Sequence, residues 1–217
     1  MAQLVWNPIG NSIFESGLDR GVLYVGTNPG VPWNGLISVD MSFEGAERMV
    51  SYFDGIELFE IVRPSTFSAV LKAFSSPAEF GECLGEKSFM PGFIVTNQIR
   101  IPFGLSYRTL VGDGAYKIHI LYNATVSTPQ RPNQSVGKSP APMVLQWELD
   151  AIAEESVLFD QCIPTAHLVV DSNQVDPDAL AIVEAALYGA GTEDDPISEP
   201  MLLAPNVLWT TLLGSGV

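Results

Sequence analysis

The chain has 217 residues but only two cysteines and two histidines. Cys83 and Cys162 are too few, and too far apart in sequence, for a disulfide framework or a metal knuckle. We therefore expect two buried free thiols. His119 and His167 both fall in β-type segments without an HExxH pattern or a Cys/His cluster, which argues against zinc chemistry. The sequence predicts no metal and no cofactor.

Long apolar runs and the usual catalytic motifs are also missing. No run approaches the roughly 18 apolar residues of a membrane span, and the amino terminus "MAQLVWNPIGNSIFESGLDR" lacks the basic start and apolar run of a secretory signal. We expect a soluble chain made in a cytosol. GxSxG, Walker-type and GxGxxG motifs are absent. The sequence therefore favours a protein that is not an enzyme, although its many carboxylates leave a glycosidase-like pair open.

Basic residues are absent from the last third of the chain. Residues 1–138 hold 12 acidic and all 10 basic side chains, whereas residues 139–217 hold 13 acidic side chains and no Lys or Arg. The formal net charge is −15. Such a surface repels nucleic-acid phosphates, which argues against a DNA-binding protein but leaves open an acidic wall that must not adhere to DNA.

The residues that are present predict a mainly β protein. Short β-type runs recur between Gly and Pro turn signals, and the pattern is typical of an antiparallel β-sandwich or barrel. These runs are "GVLYVG", "GLISVDMSF", "GIELFEIVRP", "TFSAVLKAF", "FGLSYRTLV", "YKIHILYNATV", "MVLQWELDAIA" and "TAHLVVDS". We expect one domain over residues 1–217 with extended loops and terminal arms.

One flanking α-helix is predicted between Asp176, as N-cap, and Gly189, with Leu180, Val183 and Leu187 forming the stripe that packs on the sheet. A weaker helical turn is expected in "SPAEFGECLG", capped by Ser76. Three segments are expected to be irregular, namely an N-terminal arm (about residues 1–20), a long loop (residues 127–142) and a C-terminal arm (residues 190–217).

The segment "FGLSYRTLVGDGAYKIHILYNA" predicts a hairpin with Asp113-Gly114 as a two-residue turn. In that register Arg108 faces His119, and Lys117 lies on the same polar side, opposite an apolar face. Arg108 would then keep the His119 imidazole neutral. We expect Arg108, Lys117 and His119 to meet a carboxylate-rich surface of an adjoining subunit, so they are candidate interface residues.

A second strand, "LQWELDA", places Leu145, Trp147 and Leu149 on one side and acidic residues on the other. Its acidic side is either an ordinary solvated face or a functional lining. Glu148 and Asp150 are the acidic residues on that side.

Several strings together resemble the major tail proteins, or tail tube proteins, of long non-contractile-tailed bacteriophages. They occur in the order "ESGLDRGVLY", "GVPWNGLISV", "YFDGI", "FGLSYRTLVGD...YKIHILYNA", "LQWELDAIA" and "PTAHLVVDSNQVDPDALAIVEAALYG", and they span about residues 12–190. The departures are a short hairpin tip at "VGDGAY" and the apolar stretch of residues 201–213.

The resemblance implies a subunit with no active site that assembles into stacked hexameric rings. The rings would form the virion tail tube, assembled in the bacterial cytoplasm, through which phage DNA passes without specific binding. In such a tube we expect Glu148 and Asp150 to line the lumen. Implied partners are further copies of the chain, the tape measure protein, the tail terminator and distal tail proteins, and no membrane is involved.

Two alternatives stay open at this point. The first is a minor tail or tail-tip protein of the same fold. The second is a β-sandwich carbohydrate-binding module that uses Trp6, Trp33, Trp147 and Trp209 as stacking platforms.

Overall fold

The computed structural model describes residues 14–44, 48–53, 56–62, 66–112, 114–130, 142–158, 161–192 and 195–214. Its strands are β1 (Glu15–Val25), β2 (Val31–Pro32), β3 (Leu36–Glu44), β4 (Arg48–Phe53), β5 (Ile56–Val62), β6 (Thr66–Ala73), β7 (Lys87–Met90), β8 (Phe93–Val95), β9 (Phe103–Val111), β10 (Tyr116–Gln130), β11 (Leu145–Ala151), β12 (Val157–Leu158), β13 (Gln161–Cys162), β14 (His167–Asp171), β15 (Ala190–Thr192) and β16 (Asp195–Ser198). The helices are α1 (Phe80–Cys83), α2 (Pro177–Tyr188) and α3 (Pro205–Gly214).

The fold is mainly β, as predicted, and is built on one eight-stranded antiparallel sheet with the order β2-β1-β9-β10-β11-β6-β3, while β14 pairs with β10. The long strand β10 divides this sheet into two halves. Its first half pairs with β9 and β14, and its second half pairs with β11. Asn123, at φ +47°, lies where the pairing changes. The two halves pack on each other in the manner of a β-sandwich.

The main core lies between the two halves of the sheet. Leu23, Leu105 and Leu121 enter it from the β1-β9-β10 half, and Leu71 and Trp147 enter it from the β3-β6-β11 half. The Tyr107 hydroxyl donates to the Met41 sulfur at 3.3 Å, so a polar contact also joins the two halves. Alternating apolar residues on both halves therefore build this core, as the period-two pattern predicts.

The predicted flanking helix is α2, and it packs on the outer face of the β1-β9-β10-β14 half. Val183 and Leu187 bury their side chains there against Ile118 and Ile120. The Asp176 side chain accepts a hydrogen bond from the Asp178 amide at 2.9 Å, which is the expected N-cap. The predicted bounds of α2 are confirmed.

The second predicted helical turn exists as α1, but its cap is different. Glu79 is the N-cap residue, and it makes no side-chain capping bond, so the expectation for Ser76 is wrong. Packing holds α1 instead. Phe80 is fully buried, with its ring 4.6 Å from that of Trp33 and 5.1 Å from that of Trp147.

The hairpin register of β9 and β10 differs from the prediction by one residue. Arg108 pairs with Ile118, and His119 pairs with Tyr107. The last pair is closed by the Val111 amide, which donates to the Ala115 carbonyl at 2.8 Å and leaves residues 112–114 in the connection. A one-residue slip moves every β10 side chain to the opposite face relative to β9. Arg108 therefore does not share a face with Lys117 and His119.

The segments expected to be irregular contain regular elements. Residues 15–20 belong to β1, which corrects the boundary of the N-terminal arm. Residues 127–130 belong to β10, and most of the expected loop lies outside the described residues. The C-terminal arm contains β15, β16 and α3. Leu208 of α3 is buried with Tyr24 and Leu187, so the arm docks on its own subunit.

The two cysteines are free, but only one is buried. Cys83 lies in the core beside Phe80, and burial raises the pKa of its thiol to about 12. Cys162 is exposed, so the expectation of two buried thiols is wrong for this residue.

Candidate functional site

Polar side chains cover the outer face of the β3-β6-β11 half of the sheet. Cross-strand pairing aligns Asp40 with Val70 and Glu148, and it aligns Ser42 with Ser68 and Asp150. We call this surface the acidic sheet face, and its polar residues are Ser38, Asp40, Ser42, Ser68, Lys72, Gln146, Glu148 and Asp150. The alternation predicted for β11 is confirmed, because Trp147 and Leu149 are buried while Glu148 is exposed.

The acidic sheet face carries an excess of negative charge. Lys72 is its one cation, and its ammonium donates to the Asp40 carboxylate at 3.1 Å. The Ser68 hydroxyl donates to Asp150 at 3.0 Å. Within the described part of the chain, Glu148 has no cation within ion-pair distance. Exposed carboxylates held among hydroxyl groups repel a phosphate backbone and offer it no sites for counterion release.

Arg108 lies on the opposite side of the molecule, where its partner belongs to the same chain. Its guanidinium donates to both carboxylate oxygens of Asp19, at 2.8 and 2.7 Å, across the β1–β9 pair. This bidentate contact holds the pKa of the Asp19 carboxyl below its ordinary value. The Arg108 side chain is 11% exposed. Its carboxylate partner is therefore supplied by its own subunit.

Arg108 also helps to hold α2 on the sheet. Its guanidinium carbon lies 4.4 Å from the centre of the Tyr116 ring, a cation–π contact. The Tyr116 hydroxyl in turn donates to Glu184 of α2 at 2.8 Å. A continuous chain of polar contacts thus runs from β1 through β9 and β10 to the helix.

Lys117 lies on the other face of β10, where it forms an ion pair with Glu15. Hydrogen bonding from Lys117 lowers the pKa of the Glu15 carboxyl, and the same contact raises the pKa of Lys117. Both side chains are at least partly exposed. The three candidate interface residues therefore do not form one basic surface, although Lys117 stays accessible to a neighbouring subunit.

His119 and His167, the only two histidines of the chain, lie together at the edge of the main core. The Nδ1 of His119 and the Nε2 of His167 are 3.2 Å apart, so one nitrogen donates to the other. The Nε2 of His119 is 3.1 Å from the Thr109 hydroxyl. Tyr107 stacks on the His119 ring at 4.8 Å between centroids, with 4° between the planes. Sequence reasoning placed both histidines on strands but did not pair them.

Burial keeps the two imidazoles neutral. It lowers the pKa of His119, with Glu15 opposing and Lys117 reinforcing that shift, and it lowers the pKa of His167 to about 4. The expectation that Arg108 would neutralise His119 is wrong, because the register places Arg108 opposite Ile118.

The stability of the subunit is expected to fall between pH 6.5 and 4. The folded chain binds fewer protons than the unfolded chain in this range, because the buried histidines stay neutral. Their contribution to the free energy of unfolding is therefore complete above pH 6.5 and is lost as the pH falls towards 4. Allowing for partial solvent screening, the loss is roughly 2 kcal/mol. Urea unfolding of dilute protein at several pH values measures it. The double variant His119→Gln, His167→Gln should show a flatter dependence between pH 6.5 and 5, and an unchanged slope would contradict this account.

One surface was not predicted from the sequence. Strands β7 and β8 form a small hairpin outside the main sheet, and all seven of their residues are exposed. Five of the seven are large and apolar, namely Phe89, Met90, Phe93, Ile94 and Val95. We call residues 87–95 the apolar hairpin. The Pro91-Gly92 turn signal between two apolar runs could have revealed it, since Gly92 has the positive φ (+84°) that a type II turn needs.

The tryptophans give little support to a carbohydrate-binding site. Trp33 and Trp147 are 2% and 1% exposed in the main core, so neither can stack on a sugar ring. Trp209 is half-buried on α3, and Trp6 lies outside the described residues.

Two absences hold for the residues that the structure describes. They contain no group of three or more His, Cys, Asp or Glu side chains placed to hold a metal ion. None of their helices is long and apolar enough to cross a membrane.

Comparisons with known proteins found similarity only among solved structures. No family model matches the chain, and no curated protein matches it. The tube terminating cap of the anti-feeding prophage aligns with a TM-score of 0.36 and 14% identity, over 79% of this chain and 97% of that chain. The sheath/tube terminator of an extracellular contractile injection system aligns with a TM-score of 0.34 and 13% identity, over 78% and 99%. The sheath-tube complex of such a system contains a chain with a TM-score of 0.32 and 19% identity, over 68% and 88%. At these TM-scores the likeness carries no conclusion about function.

Proposed function

We propose that the chain is a structural, non-catalytic subunit of a phage tail tube, and that it assembles into stacked hexameric rings through which DNA passes without specific binding. The observation that carries this proposal is the acidic sheet face, which is polar across neighbouring strands and open to solvent. In a tube this face would line the lumen, with Glu148 and Asp150 at its centre. A wall with the same sign of charge as DNA lets the polymer slide because it provides no counterion-release sites.

The edges of the sheet support a repeating assembly. Strand β3 is nine residues long and ends the strand order, so its outer edge pairs with no other strand of the described residues. An open edge of this length is a template for pairing with another chain. If the edge joins a different surface of the next copy, the contact is heterologous, and repetition builds a closed ring or an open filament. The remaining partners would be the tape measure protein, the tail terminator and distal tail proteins of a virion.

Assembly of the purified chain tests this proposal. At high protein concentration, negative-stain electron microscopy is expected to show rings and stacked tubes with sixfold symmetry. Sedimentation should show a concentration-dependent shift from monomer to large species, because association follows mass action.

Other outcomes would redirect or reject the proposal. Single rings that never stack would indicate a minor protein at the end of a tail. A protein that remains monomeric at every concentration and salt condition would contradict a tube subunit altogether.

A further inference from the structure

The apolar hairpin is the largest concentration of exposed apolar side chains on the described surface that belongs to one element. Phe89, Phe93 and Ile94 are 68%, 59% and 61% exposed, and Ile99, just beyond β8, is 92% exposed. An isolated two-stranded hairpin is at most marginally stable in water. Large exposed apolar patches on a soluble domain mark interaction sites. The hairpin therefore has the composition of a contact surface.

The base of the hairpin is fixed at both ends, so the exposed side chains are presented on a rigid support. On one side α1 buries Phe80 and Cys83 in the main core. On the other side the Arg100 guanidinium donates to the Val126 and Ser127 carbonyl oxygens, at 2.7 Å each. The Gln98 amide donates to the Gly85 carbonyl at 2.9 Å and closes the base. A pre-organised surface of this kind loses less conformational entropy on binding.

The charge around the hairpin identifies its partner. The hairpin itself carries no Asp or Glu, although the chain as a whole has a formal charge of −15, and Glu82 and Glu86 lie beside its base in the cleft that Lys87 and Ile99 also line. Lys87, on β7, has no carboxylate within ion-pair distance among the described residues. Two copies of so acidic a chain repel each other over most of their surfaces, and this repulsion is smallest where acidic residues are absent. The hairpin is thus the surface on which another copy can dock most favourably.

We propose that the apolar hairpin docks against the acidic last third (residues 139–217) of a second copy of this chain, at its described residues beyond β11 (152–158, 161–192 and 195–214) and away from the acidic sheet face, with Lys87 facing the carboxylates there. This inference rests on the proposed assembly of the chain. A hairpin without acidic residues that meets an acidic segment joins two different parts of the protein, so the contact is heterologous. Apolar burial supplies the affinity, and the charge complementarity selects the partner surface.

The variant Phe93→Ser, Ile94→Ser tests the apolar part of the contact. Both side chains are exposed in the subunit, so the thermal stability of the monomer should not change. The protein concentration needed for assembly is expected to rise at least about tenfold, because central aromatic and aliphatic anchors dominate interface energies. Leu110→Ser is the matched control, since Leu110 is 40% exposed and lies outside the hairpin. It should assemble like the wild type.

Mixing the hairpin variant with wild-type protein tests whether the contact joins two different surfaces of the chain, head to tail. The variant keeps its acidic last third and can therefore accept a wild-type hairpin, but it cannot dock its own. Substoichiometric variant should then shorten wild-type assemblies in proportion to its share. Wild-type assemblies of unchanged length would contradict a heterologous contact and indicate hairpin-to-hairpin pairing.

Carbodiimide cross-linking of a mixture of isotope-labelled and unlabelled wild-type protein identifies the acceptor. The expected product joins Lys87 of one copy to a carboxylate in residues 139–217 of another. Cross-links from Lys87 only to residues 1–138 would overturn the assigned acceptor. If the hairpin variant assembles like the wild type, the hairpin inference fails while the tube proposal stands. If the variant abolishes assemblies that are not tubular, the hairpin inference stands and the tube proposal fails.

Discussion

Arg108→Glu is expected to destabilise the isolated subunit by about 3 kcal/mol, before any effect on assembly. The substitution removes a bidentate ion pair to Asp19 and places a second carboxylate directly opposite it on the paired strand. Removing one partner of a buried ion pair typically costs about 3–5 kcal/mol. We expect a cost at the lower end of this range because the Asp19 side chain is partly exposed. The variant also loses the stacking of Arg108 on Tyr116 beneath α2. Urea unfolding at neutral pH measures the change.

A matched pair on the other side of the molecule provides the control. Lys72→Glu breaks an ion pair to Asp40 whose side chains are 37% and 60% exposed, so its cost should stay below about 1 kcal/mol. The swap Asp19→Arg, Arg108→Glu should recover part of the lost stability, because it restores opposite charges across the same strand pair. An Arg108→Glu subunit that is as stable as the wild type but unable to assemble would contradict this account and support Arg108 as a subunit-interface residue.

The error about Arg108 shows which part of the structure local sequence patterns can predict. The period-two alternation located the eight strands of β1, β3, β5, β6, β9, β10, β11 and β14, and the Asp176 cap and Gly189 located α2. Each of these signals is contained within its own segment. The β9–β10 register is not local, because the Gly112 amide of the connection donates to the Phe14 carbonyl, far away in sequence, at 3.0 Å. Asp113-Gly114 alone predicted a turn that this tertiary contact overrides.

The same distinction between local and long-range signals applies to the candidate surfaces. Glu148 and Asp150 could be placed on one face because alternation along a single strand determines it. Asp40 and Ser68 could not be assigned to the same face from the sequence, since their place beside Glu148 and Asp150 depends on the order of the strands in the sheet. The pairing of His119 with His167 likewise depends on β14 lying beside β10. Alternation could not predict the β7–β8 hairpin, because its strands have no buried face and therefore no apolar and polar alternation.

The double variant Glu148→Lys, Asp150→Lys is expected to make assembled tubes retain DNA. It reverses the charge at the centre of the acidic sheet face, and the change repeats in every subunit of a ring. Lysine side chains at these positions supply phosphate contacts with counterion release, so binding should be strong near 50 mM salt. At 200 mM salt it should weaken by about 10³ or more, given six or more phosphate contacts. Co-sedimentation of tubes with a labelled linear duplex measures the retention, and wild-type tubes should retain none.

Nuclease sensitivity then decides which side of the wall the reversed charges occupy. DNA held in a lumen is shielded, so the Glu148→Lys, Asp150→Lys tubes should protect it from digestion. The control Glu79→Lys, Glu82→Lys makes the same change in net charge at exposed positions outside both the acidic sheet face and the acidic last third. DNA bound to these control tubes should be digested rapidly. Equal digestion in both variants would place Glu148 and Asp150 outside the channel, because only an enclosed surface can combine retention of DNA with protection from the enzyme.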